Sequence, residues 1–314
     1  MRPYTDFRLI FGSVLIVIGL SATPAAPRHP AVSNADDHER HSMSISGGHR
    51  QPANDCSDLR IRFNDEDAVV RSETRTLSKA EAPVLKVAPH ANGGTQVVGW
   101  DNANYSVTAC KAVEAGNDAE RVLSQITMTI ENGTVSTHGP SREDRDWTVY
   151  LLIRAPKSAA MELETMNGPI SLYDVDGKLT AHANNGPISL HHFSGDADVT
   201  AQNGPISMDG SRGNIRIKTQ NGPISVNLNE TSWTGQLSAD AENGPVTLRV
   251  PSGFQSSFLV EATNRAPMSC RASICTSARK TWDDEHRRIE YGSSPAVVHL
   301  STVNGPVSVE DGRE

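Results

Sequence analysis

The sequence predicts an all-β fold, and more specifically a parallel β-solenoid built from coils of 18 residues. A hexapeptide that returns at a fixed interval and the alternation of apolar and polar residues inside each copy are the two observations behind this prediction. The hexapeptide Asn-Gly-Pro-Ile-Ser-Leu, with small changes, begins at Asn167, Asn185, Asn203 and Asn221, in steps of 18 residues. Looser copies begin at Asn243 and Asn304. Self-similarity at a fixed period is the sequence signature of a stacked array.

Each repeat unit contains two short segments that are separated by corners. In the first segment, Ile170 and Leu172 alternate with Ser171, and the later copies repeat this pattern. Alternation with a period of two is typical of a half-buried strand. A second corner, the pair Asp176-Gly177, opens the other half of the unit. The sequence therefore predicts two strands in every unit.

The turn residues alone leave two architectures open. Asn-Gly and Asp-Gly corners between alternating strands are typical of two-residue hairpins, which would give an antiparallel β meander or sandwich. In a parallel solenoid, equivalent residues of successive coils would instead lie about 4.8 Å apart. Each hexapeptide resembles the copy 18 residues away and differs from the strand nine residues away. This resemblance favours stacked coils over hairpins.

Stacking predicts a structural ladder at the Asn-Gly corners. Its members are Asn167, Gly168, Asn185, Gly186, Asn203, Gly204, Asn221, Gly222, Asn243 and Gly244. We expect the asparagine amides to bond along the stack, as amides do in cross-β arrays, and the glycines to adopt positive φ. We also expect replacement of Asn203 to destabilise the fold more than replacement of Asn304, which lies near the end of the chain.

The chain begins with the pattern of a secretory signal peptide, predicted over residues 1–25. Arg2 and Arg8 precede a twelve-residue apolar run, Leu9–Leu20, and small residues follow it. This run is shorter than the roughly 20 apolar residues that a membrane-spanning helix needs. We therefore expect an exported protein, found in the periplasm, on the cell surface or outside the cell, that meets the membrane only through this segment.

The remainder of the chain divides into a linker and one repeat domain. Residues 26–55 are polar and predict a disordered linker, and residues 56–311 form the predicted β-repeat domain. The clear repeats cover 167–250 and a closing repeat covers 304–309. Because a single unit buries too little apolar surface to be stable alone, we expect a cap at each end of the stack.

Three segments outside the clear repeats have weaker signals. We expect a short helix within Lys111–Leu123 and a charged loop over Ser277–Arg288. The segment Asn132–Ser136 resembles a repeat opening without its proline, and this predicts that the stack begins before the clear repeats.

The four cysteines predict disulfides. An even number of cysteines in an exported chain is typical of disulfide pairing. Three pairings are possible, and we favour Cys56 with Cys110 and Cys270 with Cys275, so that each end of the domain is closed by one bond. No second cysteine or histidine pair completes a tetrahedral zinc site. We therefore predict no metal and no cofactor.

The composition argues against several classes of function. A net charge of -8 without a basic cluster argues against nucleic acid, whose binding depends on lysine and arginine. No catalytic residues are predicted, because the sequence contains no nucleophile elbow or zinc-protease motif. Two groups of charged residues are compatible with catalysis, although we expect both to be solvated surface. They are Asp174, His191, His192 and Asp209, and Asp283, Asp284, His286, Arg287 and Arg288.

The repeats also resemble a known family. The hexapeptide copies from Asn167 to Leu248, their Asp-Gly or Ser-Gly half-turns and the closing copy at Asn304 resemble the putative adhesins, exported bacterial β-repeat proteins whose domain has no known function. The resemblance covers Cys56 to Asp311. It implies a β-solenoid-like fold outside the cytoplasm, and it implies no catalytic residues.

These observations predict a non-enzymatic, exported adhesin or cell-envelope interaction module. Its partner would be a cell-surface or envelope component, either a protein or a glycan. The expected binding face is the exposed strand side, with the hydroxyl column Ser171, Ser189, Ser207 and Ser225. The alternative is a carbohydrate-active enzyme, a polysaccharide lyase or hydrolase, on the same scaffold.

Overall fold

The computed structural model describes residues 42–46, 51–89, 92–141, 146–293 and 295–312. The predicted signal peptide, 1–25, lies outside the described residues, as does most of the predicted linker, 26–55. Over the described ranges, the structure contains no helix with the length and apolarity of a membrane span.

Before the repeats, the described chain forms ten strands and a short helix, α1 (Ala119–Gln125). The strands are β1 (Met43–Ser46), β2 (Arg60–Phe63), β3 (Glu66–Asp67), β4 (Val69–Ser78), β5 (Val84–Ala88), β6 (Thr95–Trp100), β7 (Asn104–Val113), β8 (Thr127–Glu131), β9 (Thr134–His138) and β10 (Trp147–Pro156). A 3-10 turn at Cys56–Asp58 precedes β2.

The repeats and the C-terminal part form the other strands of the described chain. The repeats give β11 (Ala160–Thr165), β12 (Ile170–Tyr173), β13 (Lys178–Asn185), β14 (Ile188–Ser194), β15 (Asp196–Asn203), β16 (Ile206–Arg212), β17 (Ile215–Asn221), β18 (Ile224–Leu228), β19 (Leu237–Asn243) and β20 (Val246–Val250). The C-terminal part gives β21 (Phe258–Thr263), β22 (Met268–Cys270), β23 (Arg279–Trp282), β24 (His286–Tyr291), β25 (Val298–Asn304) and β26 (Val307–Asp311). A 3-10 turn at Ser273–Thr276 follows β22.

Two large sheets contain the repeats. Sheet 1 has eleven strands in the order β22-β26-β20-β18-β16-β14-β12-β6-β10-β7-β4. Sheet 2 has twelve strands in the order β23-β24-β21-β25-β19-β17-β15-β13-β11-β5-β9-β8. From β11 to β20 the chain alternates between the sheets, so that each hexapeptide forms a strand of sheet 1 and each half-turn opens a strand of sheet 2. Strands β1, β2 and β3 form a separate antiparallel sheet.

The repeated strands pair in parallel, with equivalent residues side by side. Ile188 pairs with Ile170 on one side and with Ile206 on the other, so that each neighbour is the equivalent residue of an adjacent unit. This register confirms the predicted placement of like residues on like. Consecutive strands within Ala160–Val250, a segment that the structure describes completely, lie in different sheets. The hairpins that an antiparallel meander requires are therefore not formed in this segment.

The core lies between the two sheets. The inward side chains Ile170 and Leu172 of sheet 1 and Leu179 and Ala181 of sheet 2 are almost completely buried and belong to one continuous apolar cluster. Burial of one such aliphatic side chain contributes roughly 1.5 to 3 kcal/mol. The alternation predicted from the hexapeptide therefore describes the face that each strand buries.

The glycines of the hexapeptide have a different role from the predicted one. Gly168, Gly186, Gly204 and Gly222 do not have the positive φ that we expected, whereas Gly244, the fifth glycine of the predicted ladder, has φ 159°. A Cβ on Gly204 would instead lie 2.2 Å from the carbonyl oxygen of Gly186. Glycine is required there because the backbones of neighbouring units approach closely. Positive φ occurs at the half-turn, where Gly195 has φ 116° and Gly213 has φ 129°.

The closing repeat is not the last unit of the stack. Strand β25 lies between β19 and β21, and β26 lies between β20 and β22. The C-terminal strands therefore fill a gap that the chain leaves when it passes from β20 to β21. At the other end, β5 and β6 lie between the first repeat strands and β9 and β10 in the same manner. The closing repeat, 304–309, therefore lies inside the stack, and other strands lie beyond it.

Other segments cover the two ends of the described fold. At one end, α1 buries Ala119, Val122 and Leu123 against the core. At the other end, β21 pairs antiparallel with β24, which pairs antiparallel with β23. The predicted charged loop, Ser277–Arg288, therefore contains β23 and the start of β24. It is charged because this hairpin forms the exposed edge of sheet 2.

The N-terminal part differs from the prediction at four places. The predicted short helix is present, but it covers Ala119–Gln125, and Lys111–Val113 belong to β7. Strand β4 was not predicted, since its exposed edge position allows a polar sequence without apolar alternation. Asn132 and Gly133 form the turn of the β8–β9 hairpin, with φ 50° and 75°, instead of a repeat corner. Finally, β1, inside the predicted disordered linker, pairs with β2.

A small second core explains why β10 is apolar along nearly its whole length. The segment from Ala53 to Phe63 covers the outer face of sheet 1, where Leu59 and Ile61 pack with Tyr150 and Leu152 of β10. Both faces of β10 are therefore buried, and this is typical of a strand without apolar alternation.

The asparagines form one continuous ladder of side-chain hydrogen bonds. In spatial order, its described members are Asn92, Asn167, Asn185, Asn203, Asn221, Asn243, Asn304 and Asn264. Each Nδ2 after the first donates to the Oδ1 of the preceding member, over 2.8 to 3.1 Å. Because the C-terminal strands lie inside the stack, Asn304 is bonded on both sides.

This position of Asn304 changes the expectation for its replacement. We predict that Asn203→Ala and Asn304→Ala destabilise the fold equally, each by about 1 to 2 kcal/mol, because each removes two hydrogen bonds of roughly 0.5 to 1 kcal/mol. Asn264→Gly, which retains the positive φ of that turn and removes one ladder bond, should cost less. Urea unfolding of the three variants measures the difference. A loss at Asn304 that is well below the loss at Asn203 would contradict the ladder order.

Candidate functional site

The predicted serine face lies on the outside of sheet 1. Ser171, Ser189, Ser207 and Ser225, which we call the serine column, pair in register along β12, β14, β16 and β18. Their side chains are half-buried. Ser207 Oγ donates to Ser189 Oγ over 3.0 Å, and Arg249 donates to Ser225 Oγ over 2.6 Å. Part of the hydrogen-bonding capacity of this column is therefore used within the protein.

The structure brings together the first group of charged residues beside the serine column. The His191 ring stacks on Tyr173 with its centroid 4.6 Å away, and its Nδ1 lies 3.3 Å from Asp209 Oδ2. Burial raises the pKa of Asp209, but hydrogen bonds from His191, the His192 N–H and Asn229 outweigh it, and the net pKa is lowered. Asp209 is therefore a carboxylate that already has several donors.

Asp174 and His192 form a second pair in the same group. His192 Nδ1 lies 3.2 Å from Asp174 Oδ1. The two residues belong to successive units, and both have positive φ, 55° and 50°. The group thus consists of two His–Asp pairs that are hydrogen-bonded internally. Among the described residues, no three histidine, cysteine or acidic side chains are arranged to hold a metal ion.

The second group of charged residues lies in the β23–β24 hairpin. Asp283 Oδ1 accepts hydrogen bonds from the backbone N–H groups of Glu285 and His286, over 2.9 and 2.7 Å. These bonds lower the pKa of Asp283. Asp284 is fully exposed, and its carboxylate lies 3.8 Å from Arg265. Asp283 thus stabilises the turn of the hairpin.

Both predicted disulfides are formed. Cys56 is bonded to Cys110, with the Cα atoms 5.4 Å apart, and Cys270 is bonded to Cys275, with the Cα atoms 5.7 Å apart. The first bond attaches the N-terminal segment to β7 on the outside of sheet 1. The second closes a short loop at the C-terminal end of the stack. The predicted pairing is confirmed, and each bond lies near one end of the domain.

A groove that the sequence analysis missed crosses the outer face of sheet 2. We call it the cross-strand groove; it has a volume of about 570 Å³ and runs over β13, β15, β17, β19 and β25. One wall consists of His182, Thr200, Lys218, Asp240 and Ser301, which pair in register. The other wall consists of Asn184, Gln202, Gln220, Glu242 and Val303.

The two walls differ in how far their polar groups are already engaged. Both ring nitrogens of His182 are 2.8 Å from a partner, Thr200 Oγ1 and Asn184 Oδ1. Asp240 accepts hydrogen bonds from Ser238 and Ser301. The exposed amides of Gln202 and Gln220, in contrast, make no side-chain hydrogen bond within the described part of the chain. These amides are therefore available to a ligand.

The sequence contains only an indirect signal for this groove. Its wall residues are the outward, polar positions of the second strand in each unit, and these positions vary from unit to unit. The groove exists because five such strands stack in register, so that outward side chains two residues apart form its walls and the strand backbones between them form its floor. Its depth depends on neighbours that are far apart in the chain, such as Asp240 and Ser301.

An ion pair lies next to the groove, at the C-terminal end of sheet 2. His299 Nε2 lies 2.9 Å from Glu261 Oε1, and Arg288 Nε lies 2.9 Å from Glu261 Oε2. The hydrogen bond with Glu261 raises the pKa of His299. The same hydrogen bond, followed by that from Arg288, lowers the pKa of Glu261.

This pair predicts a pH dependence of stability. Because the folded pKa of His299 is above its usual value near 6.5, its contribution is complete below pH 6.5 and is lost as the pH rises through the folded pKa. Since the folded pKa of Glu261 is lowered, its contribution is lost only as the pH falls through that folded pKa. We predict that His299→Gln lowers stability by about 0.5 to 1 kcal/mol at pH 5.5, as expected for a partly exposed pair, and by less at pH 8.5. Thermal unfolding at both pH values measures this, and an equal loss at both would contradict it.

No protein-family model and no curated protein matches the chain. A comparison with solved structures found chains of similar structure. A putative cell adhesion protein from Clostridium sporogenes is 10% identical, with a TM-score of 0.32, 77% of this chain and 100% of that chain being covered. A putative adhesin from Bacteroides fragilis is 9% identical, with a TM-score of 0.39 and coverages of 77% and 97%. A putative lipid binding protein from Parabacteroides distasonis is 10% identical, with a TM-score of 0.27 and the same coverages. The first two descriptions agree with the family that the hexapeptide copies resemble.

Proposed function

We propose that this protein is an exported, non-enzymatic, adhesin-like module, built as a parallel β-solenoid, whose cross-strand groove binds a component of a cell surface or cell envelope. The single observation that carries the proposal is the groove of about 570 Å³ across five stacked strands, with exposed amides on one wall. A groove of this length requires several units, because each unit contributes only one of the strands that it crosses.

The sheet topology supports the solenoid. The chain alternates between the two sheets with every strand from β11 to β20, and each strand pairs in parallel with its equivalent in the next unit. Parallel neighbours need a connection that crosses to the other layer, and here the strand of the opposite sheet provides it. The expected solenoid coil corresponds to one such pair of strands.

The cysteines and the start of the chain support export. Disulfides form and persist in oxidising compartments, and all four cysteines of the chain are paired. The basic and apolar pattern of residues 1–25 is that of a secretory signal peptide. Both features indicate function outside the cytoplasm.

The charged groups favour binding over catalysis. The carboxylates of Asp174 and Asp209 are bonded to neighbouring histidines, and Asp283 caps its own turn. None of these three carboxylates lines the cross-strand groove. Polysaccharide cleavage by the purified protein would contradict this part of the proposal.

We predict that a bulky side chain in the groove abolishes binding to envelope material, because it fills the space a ligand needs. The groove variant is Thr200→Trp and its matched control is Ser207→Trp, which fills the serine column on the opposite sheet. Sedimentation of labelled protein with intact cells and isolated envelopes measures binding, and circular dichroism verifies the fold of both variants. Loss with Ser207→Trp and retention with Thr200→Trp would assign binding to the serine column instead. Wild-type protein that binds neither cells nor envelopes would refute the adhesin proposal.

A further inference from the structure

We propose that the cross-strand groove recognises a linear, uncharged polysaccharide that lies across the strands of sheet 2. This inference rests on the proposed function, and it adds the chemical class of the ligand and the residues that bind it. Three properties of the groove support this ligand class independently: its shape, its free hydrogen-bonding groups and its charge.

The shape of the groove fits an extended polymer. Its walls cross five parallel strands, and four steps of about 4.8 Å give a length of about 19 Å. Its floor consists of the backbones of these strands, because the intervening residues, such as Ala201 and Ala241, bury their side chains in the core. The two rows of outward side chains form its walls. A compact ligand would fill only part of this length, whereas a linear chain of several sugar rings would contact every unit.

The free hydrogen-bonding groups fit sugar hydroxyls. Gln202 and Gln220 are equivalent positions of neighbouring units and both are exposed. Each side-chain amide offers both donors and an acceptor, and a sugar hydroxyl also donates and accepts. Because the two amides recur with the spacing of the strands, they match a ligand that presents similar groups at regular intervals.

The charges of the groove favour a neutral chain over an anionic one. The lining contains one ammonium group, Lys218, and two carboxylates, Asp240 and Glu242. Lys218 pairs in register with Asp240, so its charge is opposed by an immediate neighbour. A polyuronate or a nucleic acid would therefore meet more negative than positive charge.

The backbone pairing disfavours a peptide strand. Binding by strand addition requires an exposed sheet edge with free backbone N–H and C=O groups. The groove lies on the face of sheet 2, and the strands below it are paired on both sides. Recognition there depends on side chains, which suits a ligand whose hydrogen-bonding groups surround every ring.

The test is a titration of the purified protein with matched probes. The probes are hexasaccharides of β-linked glucose and of β-linked N-acetylglucosamine, their disaccharides, a hexagalacturonate and a ten-residue polar peptide. We predict that a neutral hexasaccharide binds, that it binds more tightly than its disaccharide, and that it binds more tightly than the hexagalacturonate and the peptide. The double variant Gln202→Met and Gln220→Met, which retains side-chain length, should weaken binding about tenfold or more. Gln255→Met, at an exposed glutamine outside the groove, should not change it.

The outcomes separate this inference from the proposed function. Tighter binding of the hexagalacturonate or the peptide, or equal binding of the neutral chain by the double variant, would overturn the inference. If no neutral probe binds, but the wild-type protein binds envelopes and Thr200→Trp abolishes that binding, the proposed ligand class is wrong and the adhesin proposal stands. Absence of both kinds of binding would refute both.

Discussion

The structure depends on the parallel pairing of each strand with its equivalent in the next unit. This register places Ile on Ile, Ser on Ser and Asn on Asn in successive units. It also brings the corner backbones so close that a Cβ at Gly186 or Gly204 would lie 2.2 Å from a carbonyl oxygen of the preceding unit. The hexapeptide is therefore repeated because each copy must fit the copy beside it.

The order of the units in space differs from their order in the chain at both ends. The C-terminal strands β25 and β26 lie between strands that precede them in the chain, β19 and β20 on one side and β21 and β22 on the other. At the N-terminal end, β5 and β6 lie between strands that follow them, β9 and β10 on one side and β11 and β12 on the other. Such non-local insertion ties distant parts of the chain into one core, and loop closure makes contacts of this kind costly to form early in folding. Asn304, close to the end of the chain, is consequently an interior member of the ladder.

The groove and the serine column use the same register on opposite sheets. On sheet 1 the repeated outward residue is serine, whose hydroxyls partly bond to one another and to Arg249. On sheet 2 the outward residues change from unit to unit, and the groove has one wall of mixed polar residues and one that carries the free amides. The outward residues of sheet 2 can therefore differ from unit to unit, because the regular core does not depend on them.

Much of the fold could be predicted from the sequence, because equivalent positions of the repeat are expected to lie next to one another in a stacked array. The alternation at Ile170 and Leu172 predicted the buried face of each strand, and the number and positions of the cysteines predicted both disulfides.

Other features could not be predicted. The positive φ expected for Gly168 was wrong, since residue type alone does not distinguish a glycine that needs unusual torsion angles from one that allows a close backbone approach. The inserted strands and the groove could not be predicted, because both depend on contacts between distant units. Strand β4 was missed since an exposed edge allows a polar sequence.

The distance between equivalent outward residues tests the register most directly. Nitroxide labels on Ser189→Cys and Ser207→Cys should show strong dipolar broadening in electron paramagnetic resonance, because these positions lie about 4.8 Å apart in parallel register. Labels on Ser189→Cys and Asp198→Cys, on consecutive strands, should not, because they project in opposite directions from the outer faces of two sheets that are themselves about 10 Å apart. Strong broadening for the second pair and none for the first would show that consecutive strands pair as hairpins, and it would contradict the stacked register.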